Sequence, residues 1–235
     1  MNFELPEALF LYLQELDDFV EREIKPLEQQ DDNIRFFDHR REDSRTDWDR
    51  GGLPSEDWEA LLAEAVRRAD RAGHYRYPAP TEYGGQDGTN LGMAVIREHL
   101  AAKGLGLHND LQNEHSIVGN NISLLLMLNY GSEEQKAEWV DSLANGTQGF
   151  AFGITEPLHG SDATHMETTA HRDGDEWVIN GEKTWNTGIH KASHDLIFAR
   201  TSGNAGDGAG ITAFLVPSNA SGFKVEEMLW TFNMP

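Results

Sequence analysis

The chain has 235 residues, with 19 Lys and Arg against 40 Asp and Glu for a formal charge of -21, ten histidines and no cysteine. Without cysteine, disulfide staples, thiolate catalysis and cysteine–zinc sites are excluded, and a reducing, cytoplasmic setting is expected. The negative charge argues against nucleic-acid and membrane-surface roles, and no apolar run approaches the roughly 20 residues that a membrane helix needs.

The first half reads as helices. Leu9, Leu13, Leu16, Val20, Ile24 and Leu27 recur at three- and four-residue steps and so share one helix face, with Pro26 as a plausible stop. Residues 31–53 are polar, charged and dotted with glycine, which predicts a long connection. A second helix is expected after Ser55, a good N-cap residue, running through Trp58, Leu61, Leu62, Ala65 and Val66 toward Gly73. The loop YRYPAPTEYGGQDGTN follows, then helices from about Leu91 to Lys103 and from about Leu111 to Leu128. The last helix starts at Ser132, where Ser132-Glu-Glu-Gln135 forms a capping box.

After Gly149 the period changes to two. Strands are expected at Glu167–Arg172, Glu176–Ile179, Asp195–Arg200, Ile211–Val216 and Phe223–Met228. Asp173-Gly174 and Asn180-Gly181 favour the positive φ of tight turns. A helical domain over residues 1–148 therefore precedes a β domain over residues 149–235.

Two segments carry specific chemistry. FAFGITEPLHGSD, residues 150–162, resembles the first signature of the acyl-CoA dehydrogenase family: a strand running into Thr-Glu-Pro, two variable residues, then Gly-Ser-Asp. VINGEKTWNTG, residues 178–188, resembles the second, a hairpin into Lys-x-Trp-x-Thr. PTEYGG from Pro80, YGSEEQK from Tyr130 and ITAFLVP from Ile211 are family-like and in register. Several motifs in the right order carry the resemblance across nearly the whole chain, where any one alone would be weak.

The resemblance implies an α+β fold: an N-terminal all-helical domain and then an antiparallel, barrel-like β domain, here incomplete at its C-terminal end. The family's third, four-helix domain is not represented. It implies FAD as cofactor, an acyl-CoA thioester as substrate and α,β-desaturation as the reaction. An electron-transferring flavoprotein is the implied acceptor, and a homo-oligomer is implied for the full-length enzyme.

An isoalloxazine ring is a flat, mostly apolar plate with a polar edge, so its site needs an apolar wall plus hydroxyl and backbone donors. Trp185 can supply the wall. Thr187, two residues on, is expected on the same strand face. By resemblance its hydroxyl meets the flavin N5 edge, Thr155 meets the pyrimidine edge, and backbone groups of Phe152 and Ile154 approach the ring. Gly160 permits close approach of the cofactor, and Ser161 serves its phosphates and lies near the CoA ester. Asn186, between Trp185 and Thr187, replaces a usual aliphatic residue and is counted with the cofactor contacts. Glu156 reads as structural, because a base must reach the substrate proton.

The resemblance places the catalytic base in the third domain, so no residue of this chain is assigned that role. The chain by itself is expected to bind FAD weakly or not at all and to be inactive. Two other readings remain: a flavin- or acyl-CoA-binding module needing a partner chain, and an acyl-CoA oxidase or nitroalkane oxidase relative. The pairs His190/His194 and His159/His165 fall in loops without a supporting carboxylate motif, so no metal site is expected. His108 and His115, with Asn109, Asn113, Asn120 and Asn121, are expected to make a polar helix face, with His115 contacting the acyl group.

Overall fold

A computed structural model describes residues 4–109 and 116–230, apart from the side chains of His39 and Glu42. The chain divides into two compact units: residues 1–144 with 230–235, and residues 145–229.

The first unit is helical. Helix α1 (Glu7–Phe19) continues through one widened π turn (Val20–Ile24) into α2 (Lys25–Gln29). Pro26 therefore does not stop the helix as expected. It sits in the first turn of α2, and the missing N–H and the ring's bulk are absorbed by the wide turn before it. The six residues of the predicted stripe, Leu9 through Leu27, are all buried. They pack with α3 (Glu56–Arg71) and α4 (Asn90–Ala101) around Trp58, Leu61, Ile96 and Leu100.

Ser55 precedes α3 as expected, but its hydroxyl does not cap the helix. It donates to the Ser44 carbonyl at 3.1 Å. The supposed connection over 31–53 is also ordered. It holds 3-10 turns and the short pair β1 (Thr46–Asp47) and β2 (Leu53–Pro54). Phe36 is buried 5.1 Å from the Trp58 ring. Arg45 stacks its guanidinium 4.2 Å over the same indole while its Nε donates to the Phe36 carbonyl at 2.7 Å. An aromatic anchor and an arginine thus fold a polar stretch that lacks any period.

Helix α5 covers Ile122–Tyr130, and residues 116–121 before it are not helical; the start of the expected span, at Leu111, lies outside the described residues. Asn121, at φ 48°, interrupts any helix running in from before. The Gly119 N–H donates instead to the Tyr75 carbonyl at 2.9 Å. Helix α6 (Glu133–Ala144) carries the capping box. The Gln135 N–H donates to Ser132 Oγ at 3.2 Å, and the Ser132 N–H to Gln135 Oε1 at 2.9 Å. No helix among the described residues is long and apolar enough to cross a membrane.

The second unit is built on a five-stranded sheet: β3 (Phe150–Gly153), β4 (Thr169–Asp173), β5 (Glu176–Asn180), β6 (His194–Arg200) and β7 (Ile211–Pro217). β4 and β5 form the expected hairpin, and Gly174 supplies its positive φ of 61°. The expectation of an antiparallel barrel is corrected: the sheet is mixed, and no closed ring of strands is found among the described residues.

Central β6 pairs antiparallel with β7 along its length and parallel with β3, with one further parallel pairing to β4 at Arg200. Parallel neighbours need long connections, and the stretches 154–168 and 181–193 supply them. Those two stretches are the ones carrying the signatures. The strand expected at Phe223–Met228 does not form, since no ladder partner faces it among the described residues.

Candidate functional site

The two signature segments are physically joined. Lys183 reaches across to Glu156 Oε1 at 2.8 Å and to the Ile154 carbonyl at 3.2 Å. The Thr184 N–H donates to the Thr155 carbonyl at 2.9 Å. Glu156 also accepts the N–H groups of Glu167 (2.6 Å) and Thr168 (2.9 Å), which ties the start of β4 to the same carboxylate.

Both partners of the ion pair are buried, at 5% and 6% side-chain exposure. Burial pushes the Glu156 carboxyl up, but the Lys183 ammonium and the N–H donors outweigh it and hold the group down at about 2. A carboxylate so enclosed, and so weakly basic, cannot take a proton from a bound substrate. It is the post on which two loops hang.

Around this post, Phe152, Ile154 and Thr155 lie in and just after β3, alongside the Lys183–Thr187 segment. Phe152 is 41% exposed and packs 5.1 Å from the Phe198 ring. The Ile154 and Thr155 carbonyls accept from Lys183 and Thr184, which fixes the backbone of this stretch against the second signature. Trp185 is 59% exposed.

The expected strand through Trp185 and Thr187 is corrected. Trp185 has φ 64°, and the Thr187 N–H donates back to its carbonyl at 2.9 Å, so residues 185–187 form a tight turn. A left-handed residue breaks an extended run, so alternation along a strand does not describe how these side chains project. The Asn186 side chain turns inward and donates from Nδ2 to Asp195 Oδ2 at 2.6 Å.

Gly160 and Ser161 are exposed and follow a turn in which Glu156 and His159 exchange two backbone bonds of 3.1 Å. A Cβ at Gly160 would meet no protein atom within 4 Å. His165 pairs with Asp162 at 2.7 Å, and His159 faces Glu167 at 3.4 Å.

His115 lies outside the described residues, so its expected acyl contact has no structural account. His108 is corrected: it is buried in a non-helical turn, and burial lowers its pKa. It therefore does not line an exposed polar helix face.

Two residues were missed as site-builders. Lys183 lies inside its motif, and nothing local in the sequence pairs it with Glu156. Asp195 stands at the start of a predicted strand. Its signal is an acid beside Leu-Ile-Phe-Ala, a charge placed in an apolar strand.

These features suit a flat aromatic ligand. Two large aromatics stay exposed, threonine hydroxyls sit nearby in the sequence, and the backbone is open at Gly160. Family models match over both units: "acyl-CoA dehydrogenase, N-terminal domain" over residues 28–147 and "acyl-CoA dehydrogenase, middle domain" over residues 151–234. The chain belongs to the acyl-CoA dehydrogenase family.

The human mitochondrial short-chain specific acyl-CoA dehydrogenase is 32% identical over 94% of this chain and 46% of its own length. The glutaryl-CoA dehydrogenase of Desulfococcus multivorans is 31% identical over 97% of this chain and 52% of its own length. A Mycobacterium smegmatis glutaryl-CoA dehydrogenase solved in complex with FADH2 superposes with a TM-score of 0.66 at 27% identity, over 97% of this chain and 50% of that one. The chain thus spans about half the length of the relatives it matches.

Proposed function

We propose that this chain supplies the flavin-facing part of an FAD-dependent acyl-CoA dehydrogenase. The observation that carries the reading is the bond set joining the two signatures, Lys183 to Glu156 and Thr184 to Thr155, with Phe152 and Trp185 left exposed beside it. Bound FAD would supply the hydride acceptor for the β hydrogen in α,β-desaturation of an acyl-CoA thioester.

This chain's own residues bind and orient. Trp185 offers an apolar wall, while Thr155 and Thr187 offer hydroxyl donors toward the ring's polar edge. Phe152 and Ile154 border the ring. Ser161, with the open backbone at Gly160, receives phosphate oxygens and the neighbouring CoA ester. Asn186 anchors the turn. No residue here is assigned the α-proton base, and the enclosure of Glu156 supports that. An electron-transferring flavoprotein as acceptor, homo-oligomeric assembly, a cytoplasmic setting and a role in fatty acid metabolism belong to the same proposal.

The test is anaerobic addition of short- to medium-chain acyl-CoA thioesters to the native-length, flavin-loaded protein. Bleaching of the flavin absorbance with formation of the enoyl thioester is expected. Retention of the oxidised spectrum with every thioester would overturn the reading.

A further inference from the structure

Trp185 presents a puzzle of position. Its indole is 59% exposed, so packing does not hold it, and its φ of 64° is one that residues other than glycine rarely adopt. Something else must fix it. The Thr187 N–H closes the turn onto the Trp185 carbonyl, and the Ile189 N–H closes a second turn onto the Asn186 carbonyl at 3.2 Å. Asn186 sits at the apex of the first turn and sends its side chain away from solvent, to Asp195 Oδ2 at 2.6 Å.

Asp195 is 1% exposed on β6, where Cα register pairs it with Ala151 and Val216. β3 passes the pair at Gly153. A Cβ there would lie 2.9 Å from Asn186 Nδ2 and 3.1 Å from each Asp195 carboxylate oxygen, so a side chain would intrude on the contact. Burial pushes the Asp195 carboxyl up, against the bond from Asn186 and the charge of Lys183. Burying a carboxylate and an amide is costly unless they hold each other in one arrangement.

We propose that Asn186 and Asp195 form a buried tether that fixes the Trp185 turn, making both positioning residues for the flavin wall rather than flavin contacts. The proposal rests on reading Trp185 as that wall. Asp195 anchors to the central strand, Asn186 transmits the anchor to the turn, and Gly153 leaves room for both.

The test uses the native-length protein labelled with fluorinated tryptophan. The Trp185 resonance is identified by its loss in Trp185→Phe. Asn186→Leu and Asp195→Leu are expected to shift or broaden that resonance, leave those of Trp58 and Trp139 in place, and weaken FAD binding about tenfold. Asp195→Asn keeps an acceptor for Asn186 Nδ2, so it is expected to preserve both the resonance and the affinity. If Asn186→Leu does not fold, Asn186→Ala carries the same comparison. An unmoved Trp185 resonance in the Asn186 variants overturns the tether, and so does Asp195→Asn behaving like Asp195→Leu. If the unsubstituted protein binds no FAD but the Trp185 resonance still moves in the Asn186 variants, the tether stands and the flavin reading falls.

Discussion

The two units are held together by different means. In the helical unit Leu16, Val20, Ile24, Trp58, Ile96 and Leu100 are buried to within 1% of full enclosure. In the sheet unit the buried apolar residues are small or few (Ala151, Met166, Ala170 and Ala199), and Glu156, Thr168 and Asp195 are buried with them. Apolar packing is non-directional and tolerates a change of shape better than a change of volume. Charged hydrogen bonds have direction, and they aim what they hold. In the unit carrying both signatures, the bonds of buried Glu156 and Asp195 orient two loops.

That contrast predicts unequal responses. The largest effect is expected from Lys183→Met, which leaves Glu156 buried without its ammonium. The sheet unit should lose about 3–5 kcal/mol. Amide resonances of the two units followed through a urea titration would show the sheet unit melting early while the helical unit stays put. Leu16→Ala is the converse. It should cost the helical unit about 3 kcal/mol and leave the sheet unit's transition unchanged in the same titration.

Acid comes next. The Glu156 pKa is lower folded than unfolded, so its contribution is fully present above the ordinary value near 4.5. It is lost as pH falls toward about 2, and amounts to about 3 kcal/mol. Asp195 works in the opposite sense. Its folded pKa is raised, so its share is lost as pH rises through that value. An acid titration of the sheet unit should therefore flatten in Glu156→Gln and steepen in Asp195→Asn. The smallest effect is expected at Ser132→Ala, which removes half of the capping box of α6 for about 1 kcal/mol, read as a lower midpoint for the helical unit alone.

The same contrast explains what the sequence made legible. The helix stripe from Leu9 to Leu27, the Ser132 capping box and the Gly174 hairpin turn are local patterns, complete within a few residues, and each is present. Pro26 misled because a π turn can absorb what normally ends a helix. The parallel pairing of β3 with β6 joins segments some forty residues apart in the chain, and alternation within either strand says nothing of its neighbour. Within the two signature segments, the motif spelling leaves open which protein groups the side chains meet. Asn186 was placed toward the ligand and faces Asp195 instead; Lys183 and Glu156 meet across a loop that no periodicity links. A tight turn at Trp185 was invisible because tryptophan rarely adopts a positive φ.

The central claim is that the bonded polar interior exists to present Trp185 and its neighbours to a flavin. Calorimetric titration of FAD into the native-length protein and its Trp185→Ala variant tests it most directly. Because Trp185 is 59% exposed, its removal should change stability by less than about 0.5 kcal/mol while weakening FAD binding about tenfold or more. Equal FAD affinity in the two proteins, at equal stability, would contradict the account.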